Sequence, residues 1–137
     1  MMQENKMPYA GKKAILVDDD HDFVDIFKIY LENMGFSVNT GYSHEEGEKL
    51  IFEEKYDIAV FDLMMEKADS GFVLSYVSKK KNPDVPVLVI TSVTASTGLR
   101  FDNYNKEKCV WVKADEILDK NVRPEQLRWV IEKHLPL

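Results

Sequence analysis

The feature that most restricts this chain is a set of short apolar runs, rich in Val and Ile, each stopping abruptly at charged or hydroxyl residues. Ala14-Ile15-Leu16-Val17 meets Asp18-Asp19-Asp20, and Ile58-Ala59-Val60-Phe61 meets Asp62. Val87-Leu88-Val89-Ile90 gives way to Thr91-Ser92, and Ile117-Leu118-Asp119 to Lys120. Runs this short and this apolar predict strands buried on both faces, as in a parallel sheet. In an open parallel sheet the functional edge lies beyond the carboxyl ends of the strands. Carboxylates, a hydroxyl and an ammonium are therefore expected to converge at one edge.

Helical segments separate the runs. Strand one is expected over Lys13 to Asp18, followed by Phe23, Ile26, Phe27, Tyr30 and Met34 at helical spacing, with Gly35 as the stop. Phe36 to Thr40 reads as a strand, and Ser43-His44-Glu45-Glu46 has capping-box spacing and opens a helix to about Glu54. Asp57 to Asp62 is strand three. Gly71 precedes a third helix carrying Phe72, Leu74 and Val77 and ending near Asn82-Pro83. Val85 to Thr91 and Glu116 to Asp119 complete the strands, and Pro124 opens a last helix to Leu135. Strands alternating with helices predict an α/β fold: a five-stranded parallel sheet, doubly wound, in the flavodoxin-like order 2-1-3-4-5. The stretch from Ser92 to Lys113 is atypically long for a connection between strands four and five. Residues 1–11 are polar, end in Gly11 and read as a flexible tail, leaving 12–137 as one domain.

Composition narrows the function classes. The chain has 137 residues and a net charge of −6, and its one basic cluster, Lys79-Lys80-Lys81, suits a helix C-terminus. Direct DNA binding is not expected of it. A single cysteine, Cys109, excludes an internal disulfide and fits a reducing, cytoplasmic setting. No stretch approaches the length of a membrane span, and the polar N-terminus lacks a signal-peptide core.

The expected edge has the chemistry of a magnesium and phosphoryl site. Mg2+ takes oxygen ligands and keeps several waters, so one to three carboxylates are enough. Carboxylates crowded into a small space repel, and a divalent cation resolves the conflict. Asp62 can attack a phosphoryl group, Thr91 can hydrogen-bond one of its oxygens, and Lys120 can pair with another.

Taken in order, Ile15-Leu16-Val17-Asp18-Asp19-Asp20, Val60-Phe61-Asp62-Leu63-Met64-Met65, Val87-Leu88-Val89-Ile90-Thr91-Ser92 and Ala114-Asp115-Glu116-Ile117-Leu118-Asp119-Lys120 resemble the receiver domain of two-component response regulators. The resemblance covers nearly everything after residue 12. It implies that Asp62 accepts phosphate from a phosphohistidine on a sensor histidine kinase or phosphotransfer protein. It further implies that Asp18, Asp19, Asp62 and the backbone carbonyl of Met64 hold Mg2+, while Thr91 and Lys120 read the phosphoryl group. Asp20 and Asp22 read instead as first-turn acids of helix one. The last helix closes on Leu137, so a stand-alone receiver is expected, passing its signal to a downstream protein or through a homodimer.

Four departures from the family pattern stand out. Asn121 replaces the usual proline after the lysine, and a trans bond is expected there because a non-proline cis bond costs about 2.5–4 kcal/mol. Ile117 replaces an aromatic switch residue. The loop Glu66-Lys67-Ala68-Asp69-Ser70-Gly71 is one residue longer than usual, and Glu66 is placed to perturb metal affinity. The Ser92–Lys113 stretch replaces the usual fourth helix region, which points to a different partner or dimer mode. Trp111 and Trp129 are the residues to watch, and Trp129, facing partly outward beside the stripe of Leu127, Val130 and Ile131, suits an interface anchor. In the family, the positions two past the phosphoacceptor and two past the hydroxyl residue tune water attack. Here they are the apolar Met64 and Val93, so slow self-dephosphorylation is expected. Two alternatives compete: a degenerate receiver acting only as an interaction module, and a phosphatase of the haloacid dehalogenase type. The latter needs a second acid two residues past Asp62, where Met64 stands.

Overall fold

The computed structural model describes residues 7–66, 69–92 and 114–137. Its elements are β1 (Lys13–Val17), α1 (His21–Asn33), β2 (Ser37–Gly41), α2 (His44–Glu53), β3 (Ile58–Asp62), α3 (Ser70–Lys81), β4 (Val87–Thr91), β5 (Glu116–Asp119) and α4 (Pro124–His134). The five strands form one sheet in the order β2-β1-β3-β4-β5, every pair parallel, as the run pattern predicts. Most of the Ser92–Lys113 stretch, with Val93, Cys109 and Trp111, lies outside the described residues.

The strand side chains divide between two layers with the period of two that a pleat imposes. Ala14, Leu16, Ile58, Val60, Leu88 and Ile90 pack with α1 and α4 through Val24, Phe27, Leu31, Leu127, Val130 and Ile131. Ile15, Val17, Ala59, Phe61 and Val87 face the other side, against Ile51 of α2 and Leu74 of α3. Both layers exclude water, which is why the runs show no alternation of polarity. Ile117 is 7% exposed and packs with Leu63, Val89 and Ala114, so the position read as an altered switch is part of the core.

Three elements differ from the sequence reading. In α1 the buried stripe is Val24, Phe27 and Leu31, continued by Met34, whereas Ile26 is exposed. In α3 the buried face consists of Ser70, Gly71, Leu74, Ser75 and Ser78, with Val77 only flanking the core. Its hydroxyls are satisfied locally: Ser75 Oγ donates to the Gly71 carbonyl at 2.7 Å, and Ser78 Oγ lies 2.8 Å from the Tyr56 hydroxyl. Finally, the segment read as tail up to Gly11 is partly folded. Tyr9 is buried and stacks on Phe36 at 4.9 Å; its N–H donates to the Met34 carbonyl, and its hydroxyl donates to the Leu135 carbonyl at 2.7 Å. One aromatic in a polar stretch carries no periodicity, so pattern reading passes over it.

That N-terminal turn depends on Gly35. Its φ of +113° lies where L side chains rarely go, and an added Cβ would sit 2.4 Å from the Ala10 nitrogen and 2.7 Å from the Tyr9 carbonyl carbon. Both contacts are backbone and cannot swing away. Gly35→Ala is expected to destabilise the fold by about 2 kcal/mol or more. A shift in the urea midpoint measures it, and an unchanged midpoint would show that the turn is not attached there.

Candidate functional site

The edge of the sheet is set by register. Val17 pairs with Phe61, so Asp18 and Asp62 follow as neighbours, one residue past β1 and at the end of β3. Thr91, at the end of β4, pairs with Asp119, and the Lys120 N–H donates to the Thr91 carbonyl at 3.0 Å. Pairing therefore carries on past β5 and delivers the Lys120 stem to the same edge. Beyond it the Asn121 N–H donates to Asp119 Oδ1 at 2.8 Å, a turn bond that proline would lack. No cis peptide bond occurs among the described residues, so the Lys120–Asn121 bond is trans.

The acids divide their work. Asp18 is fully buried and its Oδ1 accepts from the Asp20 N–H at 2.9 Å, which turns the chain out of the sheet. Asp20 caps α1 by accepting from the Phe23 N–H, and Asp22 lies in the first turn. Asp19 is exposed, and one carboxylate oxygen from each of Asp18, Asp19 and Asp62 falls within 4.8 Å of the others. Lys120 Nζ sits 2.9 Å from Asp18 Oδ2 and 3.6 Å from Asp62 Oδ1. It also lies 4.8 Å from the centre of the Phe23 ring. Sequence pattern assigns Phe23 to the core stripe; its place beneath an ammonium is a contact that only tertiary structure creates. Thr91 is buried at the same strand ends.

The electrostatics follow from crowding. Burial, then the charge of Asp18, pushes the Asp62 carboxyl up to about 7 against the opposing pull of Lys120. Burial and Asp18 also raise Asp19. Burial pulls the Lys120 ammonium down, but its bond to Asp18 and the charges of Asp62 and Asp18 outweigh this and hold it above its ordinary value. Asp18 Oδ2 is buried and, although ion-paired to Lys120, accepts no hydrogen bond of good geometry. A hard oxygen donor with spare lone-pair capacity, beside two more carboxylates, fits a small divalent cation such as Mg2+.

Fold and edge together define a doubly wound parallel-sheet protein with a carboxylate cluster and a lysine at its switch point. Residues 14–132 match the response regulator receiver domain family. The chain belongs to that family. It is 31% identical over 120 residues to the transcriptional regulatory protein RprY of Bacteroides fragilis, covering 88% of this chain and 48% of RprY. A probable transcriptional regulator of Cyanidium caldarium is 27% identical and is covered to 51%, so the chain spans about half the length of these relatives. Among solved structures it superposes on a CheY-like receiver domain protein of Methanospirillum hungatei with a TM-score of 0.75 at 24% identity, covering 89% of this chain and 91% of that one. It also superposes on TrrA of Thermotoga maritima, solved in complex with Mg(2+)-BeF, with a TM-score of 0.74 at 23% identity, covering 90% and 99%. At these identities the likeness is one of fold. No helix among the described residues is long and apolar enough to cross a membrane.

Proposed function

We propose that the chain is a phosphorylatable receiver in which Asp62 accepts a phosphoryl group from a phosphohistidine on a sensor histidine kinase or phosphotransfer protein. The observation that carries this reading is the meeting of Asp18, Asp19 and Asp62 within 4.8 Å, with Lys120 Nζ between Asp18 and Asp62. An Asp62 oxygen attacks phosphorus, the phosphorus–nitrogen bond breaks, and its electron pair leaves with the imidazole, which takes a proton. Asp18, Asp19, Asp62 and the Met64 carbonyl would hold Mg2+, which when bound neutralises the crowded charge at this edge. The phosphoryl group adds about two negative charges. Lys120, nearer Asp18 than Asp62 beforehand, is drawn toward them, and the Thr91 hydroxyl donates to a phosphoryl oxygen. The strand ends that carry Thr91 and Lys120 then settle differently, which biases a partner surface.

The readout partner is a downstream protein or a second copy of the chain, in a cytoplasmic setting and without direct DNA contact by these residues. Trp129, 65% exposed on α4, is available to such an interface. A titration with Mg2+ followed by beryllofluoride tests the reading. A change in tryptophan fluorescence at each step supports it, and silence at both steps would leave a degenerate receiver that serves only as an interaction module.

Persistence of the signal rests on what stands beside the acyl phosphate. Met64, 46% exposed at the rim, offers no group to orient an attacking water. Self-dephosphorylation is therefore slow, and Met64→Asn is expected to quicken it about tenfold. Phosphate loss from the purified phosphoprotein measures this, and rapid loss from the unsubstituted chain would refute it.

A further inference from the structure

The lengthened loop between β3 and α3 is attached to an element that has no part in the chemistry. His44 is the first residue of α2, and its backbone N–H donates to both carboxylate oxygens of Glu66, at 3.1 and 3.3 Å. Its ring reaches the same loop a second time, with Nδ1 3.1 Å from the Oγ of Ser70, which is fully buried at the start of α3. At its base the loop is closed by the Gly71 N–H donating to the Leu63 carbonyl at 2.8 Å. That closure leaves no slack: a Cβ on Gly71 would lie 2.6 Å from Leu63 Cα and 2.7 Å from the Asp62 carbonyl oxygen. Met64 lies within the stretch so enclosed.

Glu66 suits its partner. The first N–H groups of a helix have no partner within the helix, and the positive end of the dipole favours a carboxylate there. Ser43 already satisfies one such group, the Glu46 N–H, while Glu46 turns back to the Tyr42 N–H. Glu66 supplies the acceptor for His44 from across the molecule. Its charge is also felt at Asp19, whose proton affinity it raises slightly.

We propose that Glu66 and His44 are positioning residues: they latch the loop after Asp62 onto the N-terminus of α2 and so hold the Met64 carbonyl in register with the carboxylate cluster. The latch stands on the contacts above. Its consequence for cation binding rests on the receiver reading, and the experiment separates the two.

Position 44 permits a clean deletion of the donor. Proline is tolerated at the first position of a helix, and the residue before it must be extended. Ser43 is extended, with φ −154° and ψ 166°. His44→Pro therefore removes the N–H together with the ring while sparing the helix. His44→Ala keeps the N–H and removes only the ring contact to Ser70, so the difference between the two reports the N–H. Glu66→Ala removes the acceptor, whereas Glu66→Gln keeps an acceptor and drops the charge.

The readouts are hydrogen exchange at the Gly71 amide in the metal-free 137-residue chain and the Kd for Mg2+ by calorimetry. Glu66→Ala and His44→Pro should each speed Gly71 exchange about tenfold, the low end for a hydrogen bond to a charged group. The core amide of Val60 should be unaffected. The double variant should be no faster than the faster single one, because both remove the same bond. Glu66→Gln and His44→Ala should stay closer to the original chain. The Kd for Mg2+ should rise about three- to tenfold in the same order. Unchanged Gly71 exchange in both Glu66→Ala and His44→Pro would overturn the proposal. So would equal weakening of Mg2+ binding by Glu66→Ala and Glu66→Gln with none by His44→Pro, since charge alone would then account for Glu66. Faster Gly71 exchange in a chain that never binds Mg2+ would uphold the latch and overturn the metal reading instead.

Discussion

Asp62→Asn should abolish the response to acetyl phosphate and to beryllofluoride completely, while the variant stays folded. Asparagine is close to isosteric with aspartate, but its amide nitrogen is no nucleophile toward phosphorus and cannot replace the carboxylate oxygen. The site loses one of its three clustered carboxylates, so Mg2+ binding should weaken as well, leaving Asp18 and Asp19 to hold what remains. Mass spectrometry after acetyl phosphate treatment gives the first readout, and the beryllofluoride-induced fluorescence change gives the second. A phosphoryl adduct persisting in Asp62→Asn would place the acceptor elsewhere and remove the foundation of the functional reading.

The same substitution should make the metal-free protein more stable above neutral pH. Burial and the neighbouring Asp18 charge hold the Asp62 carboxyl near 7, so ionising it costs the folded chain more than the unfolded one. The stability supplied by its protonated form is full below about pH 4, where an unfolded aspartate also protonates, and is lost as pH rises through about 7. The neutral amide of the variant never carries the charge. In the presence of a chelator at about pH 8, Asp62→Asn should therefore exceed the original chain in unfolding free energy, by a gap on the order of 2 kcal/mol. The gap should close as pH falls toward about 4, and Mg2+ should narrow it by stabilising the unsubstituted site more than the substituted one. Urea midpoints at several pH values test this; an asparagine variant less stable at about pH 8 would show that the three acids do not conflict.

How far the residues alone predict this molecule depends on how each element meets water. The strands are legible because Ile15 and Val17 face one layer while Leu16 faces the other, and both layers demand apolar side chains. Strand ends locate Asp18, Asp62, Thr91 and Lys120, since parallel register carries them to one edge. In α1 the apolar residues are too many to define a single stripe. Phe23 faces Lys120, and Val24 and Leu31 take the core instead. The buried side of α3 escapes a pattern reading because it is built from serines whose partners are the Gly71 carbonyl, the Tyr56 hydroxyl and the His44 ring, which no hydropathy pattern marks. Tyr9 escapes for a similar reason: its value lies in a stack on Phe36 and a bond to the Leu135 carbonyl, both set by distant segments.

The helix that directly follows the acceptor loop leans on the sheet with glycine, serines and one fully enclosed leucine, Leu74. Greasy contact resists sliding because every displaced methylene must be rehydrated, whereas hydroxyls can exchange one partner for another at small expense. Repositioning α3 thus asks less of the solvent than moving α1 or α4, each of which buries three large apolar side chains. A charge arriving at Asp62 has, immediately downstream along the backbone, a rod already set on rollers.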